Sequence, residues 1–92
     1  MIVRYAGIFL KDLKSLPVNM RQAITLIVQK IEHAKSIREI PNCKKLQGVE
    51  NAYRIRKGDY RLIFLFLVID DTVFFQRVLP RGDIYKKHNL KK

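Results

Sequence analysis

The fold is decided by the stretch Tyr53-Arg54-Ile55-Arg56-Lys57-Gly58-Asp59-Tyr60-Arg61-Leu62-Ile63-Phe64. Two strand-like segments meet there at Gly58-Asp59, and glycine at the first central position of a two-residue turn favours a type II′ hairpin. This hairpin register places Arg56 opposite Arg61 and Arg54 opposite Ile63. Because successive side chains of a strand point to opposite faces, the three arginines are predicted to share one face.

The apolar residues of the same hairpin predict where the core lies. They alternate with the arginines and are Tyr53, Ile55, Leu62 and Phe64. Like charges directly opposite each other destabilise a sheet, so strand pairing does not explain the arginines. A cluster with this cost favours an anionic ligand, and a solvated basic face is the alternative. The hairpin therefore predicts a core on one side of a sheet and a cationic surface on the other.

Length and composition indicate one folded domain, residues 1–92. A chain of 92 residues falls within the range of about 50 to 200 residues typical of single cores. Hydrophobic residues make up 48% of the chain, which is enough for a modest core and is unlike a disordered segment. The longest apolar run, 62–69, is far too short to span a bilayer, and the N-terminus lacks the pattern of a signal peptide.

The net charge of +11, with a pI of about 10.2, predicts a polyanionic partner. Nucleic acid is the leading candidate, and an acidic protein is another. A membrane is not expected as a partner, because no segment combines a basic polar face with exposed Trp, Phe or Leu.

Familiar catalytic and cofactor motifs are absent from the sequence. His33 and His88 are isolated, and no carboxylates are paired at ligand spacing, so neither a metal nor another cofactor is expected. A Walker loop, a dinucleotide fingerprint and a Gly-x-Ser-x-Gly elbow are also missing. The single cysteine, Cys43, cannot form an internal disulfide, which favours a reducing compartment and hence the cytoplasm. No histidine is close in sequence to activate it, which favours a packing or incidental role.

The first half of the chain supplies helices for the apolar face of the sheet. A short strand is predicted from Ile2 to Tyr5, and Phe9, Leu13 and Leu16 then recur at helical spacing. Pro17 begins a longer helix that runs to about Lys35. Its apolar stripe consists of Met20, Ala23, Ile24, Ile27, Val28 and Ile31. Residues 36–48 lose this periodicity and are predicted to form a connecting loop.

Three further strands, 52–57, 60–69 and 72–79, are predicted to form a meander. Pro80 ends the last strand, and Gly82-Asp83 precedes a short final helix that contains Ile84, Tyr85 and His88. The predicted order is β-α-α-β-β-β-α. It describes an α+β fold in which the two helices of the N-terminal half pack on a small antiparallel sheet. The loop geometry of the second hairpin is undetermined, so the face occupied by Arg77 stays open.

The sequence resembles the RelE/ParE superfamily of bacterial type II toxins, over essentially the whole chain. The resemblance is most specific in the segments Lys45-Leu46-Gln47-Gly48, Tyr53-Arg54-Ile55-Arg56, Gly58-Asp59-Tyr60-Arg61-Leu62-Ile63 and Arg81-Gly82-Asp83-Ile84-Tyr85. It implies a RelE-like fold and a neutralising, acidic antitoxin. RelE-like members cut mRNA in the decoding site of the ribosome, whereas ParE-like members poison DNA gyrase. Since both activities share the fold, function must be argued from the site.

The resemblance also implies a catalytic set. RelE-like proteins have basic residues on the first meander strand, an arginine on the next, an arginine after the last and a tyrosine near the C-terminus. Arg54, Arg56, Arg61, Arg81 and Tyr85 occupy these places. Attack of a ribose 2′-oxygen on the adjacent phosphate needs a proton acceptor, charge stabilisation and in-line geometry rather than a metal. Further basic residues expected to bind RNA are Lys44, Lys45, Lys57, Arg77, Lys86 and Lys87.

The chain departs from the family at the position of the general base. RelE-like sites often have lysine where this chain has Arg54 and Arg56, and an arginine side chain stays protonated. Tyr85, His88, Lys57 or a ribosomal group are the candidates. The expected function is a toxin that inhibits translation as a metal-independent, ribosome-dependent mRNA endoribonuclease. The alternatives are a ParE-type gyrase inhibitor and a non-catalytic nucleic-acid-binding module.

Overall fold

The structure is a computed structural model that describes residues 1–82. In chain order its elements are β1 (Ile2–Tyr5), α1 (Gly7–Lys14), α2 (Val18–His33), β2 (Cys43–Lys45), β3 (Ala52–Lys57), β4 (Tyr60–Leu67) and β5 (Thr72–Pro80), with a short 3-10 helix (Ile37–Glu39) before β2. The predicted final helix, with Tyr85, Lys86, Lys87 and His88, lies outside the described residues. Neither α1 nor α2 is long and apolar enough to cross a membrane.

The five strands form one sheet in the order β1-β5-β4-β3-β2. The antiparallel meander of β3, β4 and β5 and the α+β architecture are confirmed. The sheet is mixed rather than purely antiparallel, because β1 pairs with β5 in parallel. The prediction of a continuous loop over 36–48 was wrong at Cys43–Lys45, which pairs with β3. Three residues are too few to show an alternating pattern, and this strand is identified only by its partner.

The register predicted for the first hairpin is confirmed. Arg56 lies opposite Arg61, and Arg54 lies opposite Ile63. Gly58 has a φ of 56°, in the left-handed region, whereas Asp59 does not, which is the pattern of a type II′ turn. The turn chemistry therefore determines which residues of β3 and β4 share a face.

The main core lies between the helices and one face of the sheet. The predicted apolar side of the hairpin contributes Ile55, Leu62 and Phe64, which are at most 2% exposed. Three aromatic rings join α1 to the sheet: Phe9 stacks on Phe75 at a centroid distance of 4.9 Å, and Phe75 meets Phe64 edge-on at 5.8 Å. Burial of these large side chains is the main source of stability for the fold.

A second, smaller cluster covers part of the opposite face. Its buried members are Leu46, Ala52, Ile63 and Leu65. Leu46 reaches the sheet because its N–H donates to the carbonyl of Ala52 at 2.8 Å, which folds the β2–β3 connection back on the sheet. The face opposite the helices is therefore apolar near Ala52 and Leu65 and cationic toward the β3–β4 turn.

Candidate functional site

The register brings four basic side chains to the sheet face opposite the helices. Lys44 lies across from Arg54, and Arg56 lies across from Arg61. We call these four residues the cationic face. Arg81 follows β5, and its N–H donates to the carbonyl of Asp59 at 2.7 Å, which holds its backbone against the hairpin turn. The structure therefore brings together Lys44 and four of the five predicted catalytic residues. The fifth, Tyr85, lies outside the described residues.

Arg61 is the most firmly held residue of the cationic face. It is 9% exposed, and its Nη1 donates to the carbonyls of Gly58 and Tyr60 at 3.0 and 2.9 Å. These bonds fix the guanidinium relative to the turn, and hydrogen bonds from a charged group are worth roughly 1.5 to 3 kcal/mol. Arg61 therefore stabilises the hairpin as well as contributing charge.

The side chains of Arg54, Arg56 and Arg81 differ from that of Arg61 in exposure and in hydrogen bonding. Arg56 and Arg81 are exposed and Arg54 is half-buried. Within residues 1–82 none of these three side chains makes a hydrogen bond or an ion pair. An anion can therefore bind to them without breaking a contact between described residues.

Arg77 is the predicted RNA-binding residue whose position the sequence left open. It lies opposite Ile63, so its Cβ points to the same side as the cationic face. Its guanidinium, however, is paired with Asp12 of α1, with Nε–Oδ2 and Nη2–Oδ1 distances of 2.9 and 3.3 Å. Binding of RNA by Arg77 would have to compete with this ion pair. Asp12 was not found by sequence reasoning, because its partner is 65 residues away and no local pattern marks it.

Lys45 and Lys57 lie apart from the cationic face. Lys45 is opposite Tyr53 and Lys57 is opposite Tyr60, so both start from the side of the sheet that carries the helices, and both are exposed. Their predicted role in RNA binding therefore requires RNA that passes around the edge of the sheet. Tyr85, Lys86 and Lys87 lie outside the described residues. Of the three side chains predicted as candidates for the general base, Lys57 is the one that lies within residues 1–82.

Cys43 lies at the start of β2 and is half-buried. Burial raises the pKa of its thiol to about 11, and the positive charge of Arg54 acts in the opposite direction. A thiol with this pKa is protonated at neutral pH, and the thiolate is the reactive form.

Among residues 1–82 no three His, Cys, Asp or Glu side chains are grouped so as to hold a metal ion.

We therefore expect Cys43 to be unreactive in the folded protein. With a pKa of about 11, its alkylation by iodoacetamide at pH 7.5 should be about 300-fold slower than that of an unperturbed cysteine, whose pKa is near 8.5. The rate should still rise with pH at pH 10. In the Arg54→Ala variant the pKa should rise further and the reaction should slow. Mass spectrometry over a pH series measures this, with urea-unfolded protein as the control, and a rate that levels off near pH 8.5 would contradict it.

A groove of about 930 Å³ adjoins the cationic face, between the second half of α2 and β3. Buried Ile31 and Ile55 form part of its wall, and the exposed charged residues that line it are Lys30, Glu32, Glu39, Arg56 and Lys57. An apolar wall beside an excess of cations suits a segment that carries both apolar and acidic side chains.

Comparison with known proteins identifies the same architecture. No family model matches the chain. The toxin RelE3 of Methanocaldococcus jannaschii is 41% identical over 86 residues, which cover 92% of this chain and 96% of that protein. The RelB-RelE antitoxin-toxin complex of Methanococcus jannaschii contains a chain with a TM-score of 0.77 and 37% identity, covering 90% of this chain and 95% of that one.

Two further solved structures are similar. The RelE-RelB complex of Pyrococcus horikoshii OT3 matches with a TM-score of 0.74 and 29% identity, over 88% of this chain and 94% of that one. The isolated RelE toxin of E. coli matches with a TM-score of 0.66 and 22% identity, over 92% and 90% of the two chains, which shows a common fold. On the identity and coverage shared with the Methanocaldococcus toxin, and on the common fold, the chain belongs to the RelE family of type II toxins.

Proposed function

We propose that this toxin is a metal-independent endoribonuclease that cleaves mRNA on the ribosome in the cytoplasm and so inhibits translation. The observation that carries the proposal is the clustering of Arg54, Arg56 and Arg61 on one sheet face, with Arg81 held at the adjoining turn. Strand pairing alone disfavours such a cluster, because like charges opposite each other repel. A bound polyanion offsets that repulsion.

Arginine side chains can stabilise the negative charge that develops during cleavage of RNA. When the ribose 2′-oxygen gives up its proton and attacks the adjacent phosphorus, the bond from phosphorus to the 5′-oxygen of the next nucleotide breaks, and that oxygen takes up a proton. Negative charge develops on the non-bridging oxygens, and positioned donors stabilise it. Arg61, fixed by the turn carbonyls, offers charge with little reorganisation. The exposed Arg56 and Arg81 supply further donors that suit phosphate geometry. In this proposal Tyr85 stacks on a base or transfers a proton, and Lys44, Lys45, Lys57, Lys86 and Lys87 bind the flanking phosphates.

Cleavage of ribosome-bound mRNA by the purified chain tests the proposal. We expect a defined mRNA on programmed ribosomes to be cut, with a 2′,3′-cyclic phosphate on the upstream product, and the same mRNA free in solution to stay intact. An mRNA with a 2′-O-methyl group at the scissile nucleotide is the matched control, because it lacks the nucleophile and should not be cut. Intact mRNA together with inhibited gyrase supercoiling would assign the chain to the ParE-type alternative. RNA binding without either activity would leave a non-catalytic module.

The partner of this toxin in the cell is proposed to be an acidic antitoxin. Two of the similar solved structures are complexes of a RelE toxin with RelB, and the charge of +11 favours an acidic partner. The cationic face and the groove beside α2 are the surfaces proposed for it. Association rates measured from low to high salt test this, because electrostatic capture slows as salt screens it. A rate that does not depend on ionic strength would contradict it.

A further inference from the structure

The outer edge of β5 changes partner halfway along the strand. β1 pairs with β5 only over Thr72–Phe75, and the N–H of Ala6 donates to the carbonyl of Phe75 at 2.9 Å. Beyond Phe75 no strand among residues 1–82 covers this edge, because the chain turns into α1 at Gly7. Within the described part of the chain, the stretch of β5 that leads to Arg81 therefore pairs with a strand, β4, on its inner side only.

Asp12 of α1 binds the outer edge of β5 at the position where a further strand would pair. Its Oδ2 accepts a hydrogen bond from the backbone N–H of Val78 at 2.9 Å and another from Nε of Arg77 at 2.9 Å. Its Oδ1 accepts from Nη2 of Arg77 at 3.3 Å. The carboxylate is only 16% exposed, so these charge-assisted bonds are partly shielded from water. α1 is itself anchored by the fully buried Phe9, three residues before Asp12.

The second half of β5 is thus held on its outer side at Val78 and on its inner side as far as Arg81. Pro80 has no N–H to donate, so the next backbone donor is that of Arg81, which bonds to the carbonyl of Asp59 on the inner side at 2.7 Å. On the outer side the last hydrogen bond between described residues before Arg81 is the one that Asp12 accepts from Val78. A shift of β5 at Val78 would be transmitted to Arg81 over only three residues.

We propose that Asp12 is a positioning residue of the active site: it anchors the outer edge of β5 at Val78 and thereby sets the place of Arg81, without itself touching RNA. The inference rests on the proposed endoribonuclease function. Asp12 also holds the guanidinium of Arg77 at the edge of the sheet and neutralises it, which keeps another positive charge from the cationic face.

Three variants separate the contributions of Asp12. Asp12→Asn keeps an oxygen that can accept from Val78 but loses the ion pair, whereas Asp12→Ala loses both. Asp70→Asn removes the same charge from an exposed turn and is the matched control. We expect kcat for cleavage of ribosome-bound mRNA to fall about 10- to 100-fold in Asp12→Ala with little change in KM, because misplacement of a catalytic group affects the chemical step. Asp12→Asn should lie between Asp12→Ala and wild type, and the control should match wild type.

A double-mutant cycle distinguishes positioning from a general loss of stability. If Asp12 acts through Arg81, Asp12→Ala should cost nothing further in an Arg81→Ala background, because the group that it positions is already gone. A loss in rate that is fully additive in the two variants would overturn the proposal. The Asp12→Asn variant supplies the same comparison if Asp12→Ala does not fold.

Amide hydrogen exchange gives a readout that does not depend on activity. In Asp12→Ala we expect faster exchange at Val78 and Arg81, while the amides that pair β3 with β4 keep their protection. Unchanged exchange at Arg81 would overturn the proposal even if cleavage fell. If the wild-type chain does not cleave mRNA, the proposed function fails and the active-site role fails with it, whereas the exchange data still report whether Asp12 fixes β5.

Discussion

Replacement of Arg81 with alanine is expected to slow cleavage of ribosome-bound mRNA by about 10²- to 10³-fold, the usual cost of removing a positioned donor from a developing oxyanion. The free energy of unfolding should change by less than about 0.5 kcal/mol, because the side chain is exposed and makes no hydrogen bond or ion pair with another described residue. The backbone bond from Arg81 to Asp59 is retained in alanine. Single-turnover cleavage and urea unfolding measure the two quantities.

Arg21→Ala is the matched control for Arg81→Ala. It removes the same charge from the exposed surface of α2, away from the cationic face. We expect it to leave the single-turnover rate within about twofold of wild type, since a distant surface charge acts weakly through a salt-screened solvent. Arg61→Ala should differ from both, because it also breaks the bonds to Gly58 and Tyr60 and so lowers stability together with activity. A fully active Arg81→Ala protein would remove Arg81 from the site.

Replacement of Phe9 with alanine is expected to cost about 3 to 5 kcal/mol of unfolding free energy, as for other fully buried phenylalanines. Phe9 is 0% exposed and stacks on Phe75 at 4.9 Å and on Tyr5 at 5.7 Å. A domain of 92 residues has a total stability of roughly 5 to 14 kcal/mol, so the loss is a large part of it. Urea unfolding followed by circular dichroism measures the change.

The control for Phe9→Ala lies on the same helix. Leu10 is 46% exposed, and Leu10→Ala should cost less than about 1 kcal/mol because little buried area is lost. Equal losses in the two variants would show that α1 is not held to the sheet by the aromatic stack. Since α1 also carries Asp12, a folded Phe9→Ala protein should show faster amide exchange at Val78 as well.

Much of the site could be predicted from the sequence because its geometry is local. The turn at Gly58-Asp59 joins strands that are adjacent in the chain, and the alternation of side chains then places Arg54, Arg56 and Arg61 on one face. The helices are likewise determined locally, by apolar spacing that matches the helical period. The assignment of Arg81 to the site came instead from the resemblance to RelE-like toxins, and its contact with Asp59 is a feature of the tertiary structure.

The orientation of Arg77 shows why the second hairpin was harder to predict from the sequence than the first. Ile63 pairs with Arg77 and Phe64 pairs with Phe75, so Gln76 is an extra residue in β5. Such a bulge reverses the alternation, and without it Arg77 would share the helix-covered face with Phe75. The decisive residue is a buried glutamine in a strand, which no turn signal in the sequence marks.

By itself the sequence determined the first hairpin, its cationic and apolar faces, the two helices and the central meander, because each depends on residues close together in the chain. Only the tertiary structure decided that β1 joins β5 in parallel, that Cys43–Lys45 is a strand that brings Lys44 opposite Arg54, and that Asp12 binds Arg77 and Val78. These contacts join segments far apart in the chain. They depend on how the whole chain packs, and a local pattern of residue types does not identify a partner that is far away in the chain.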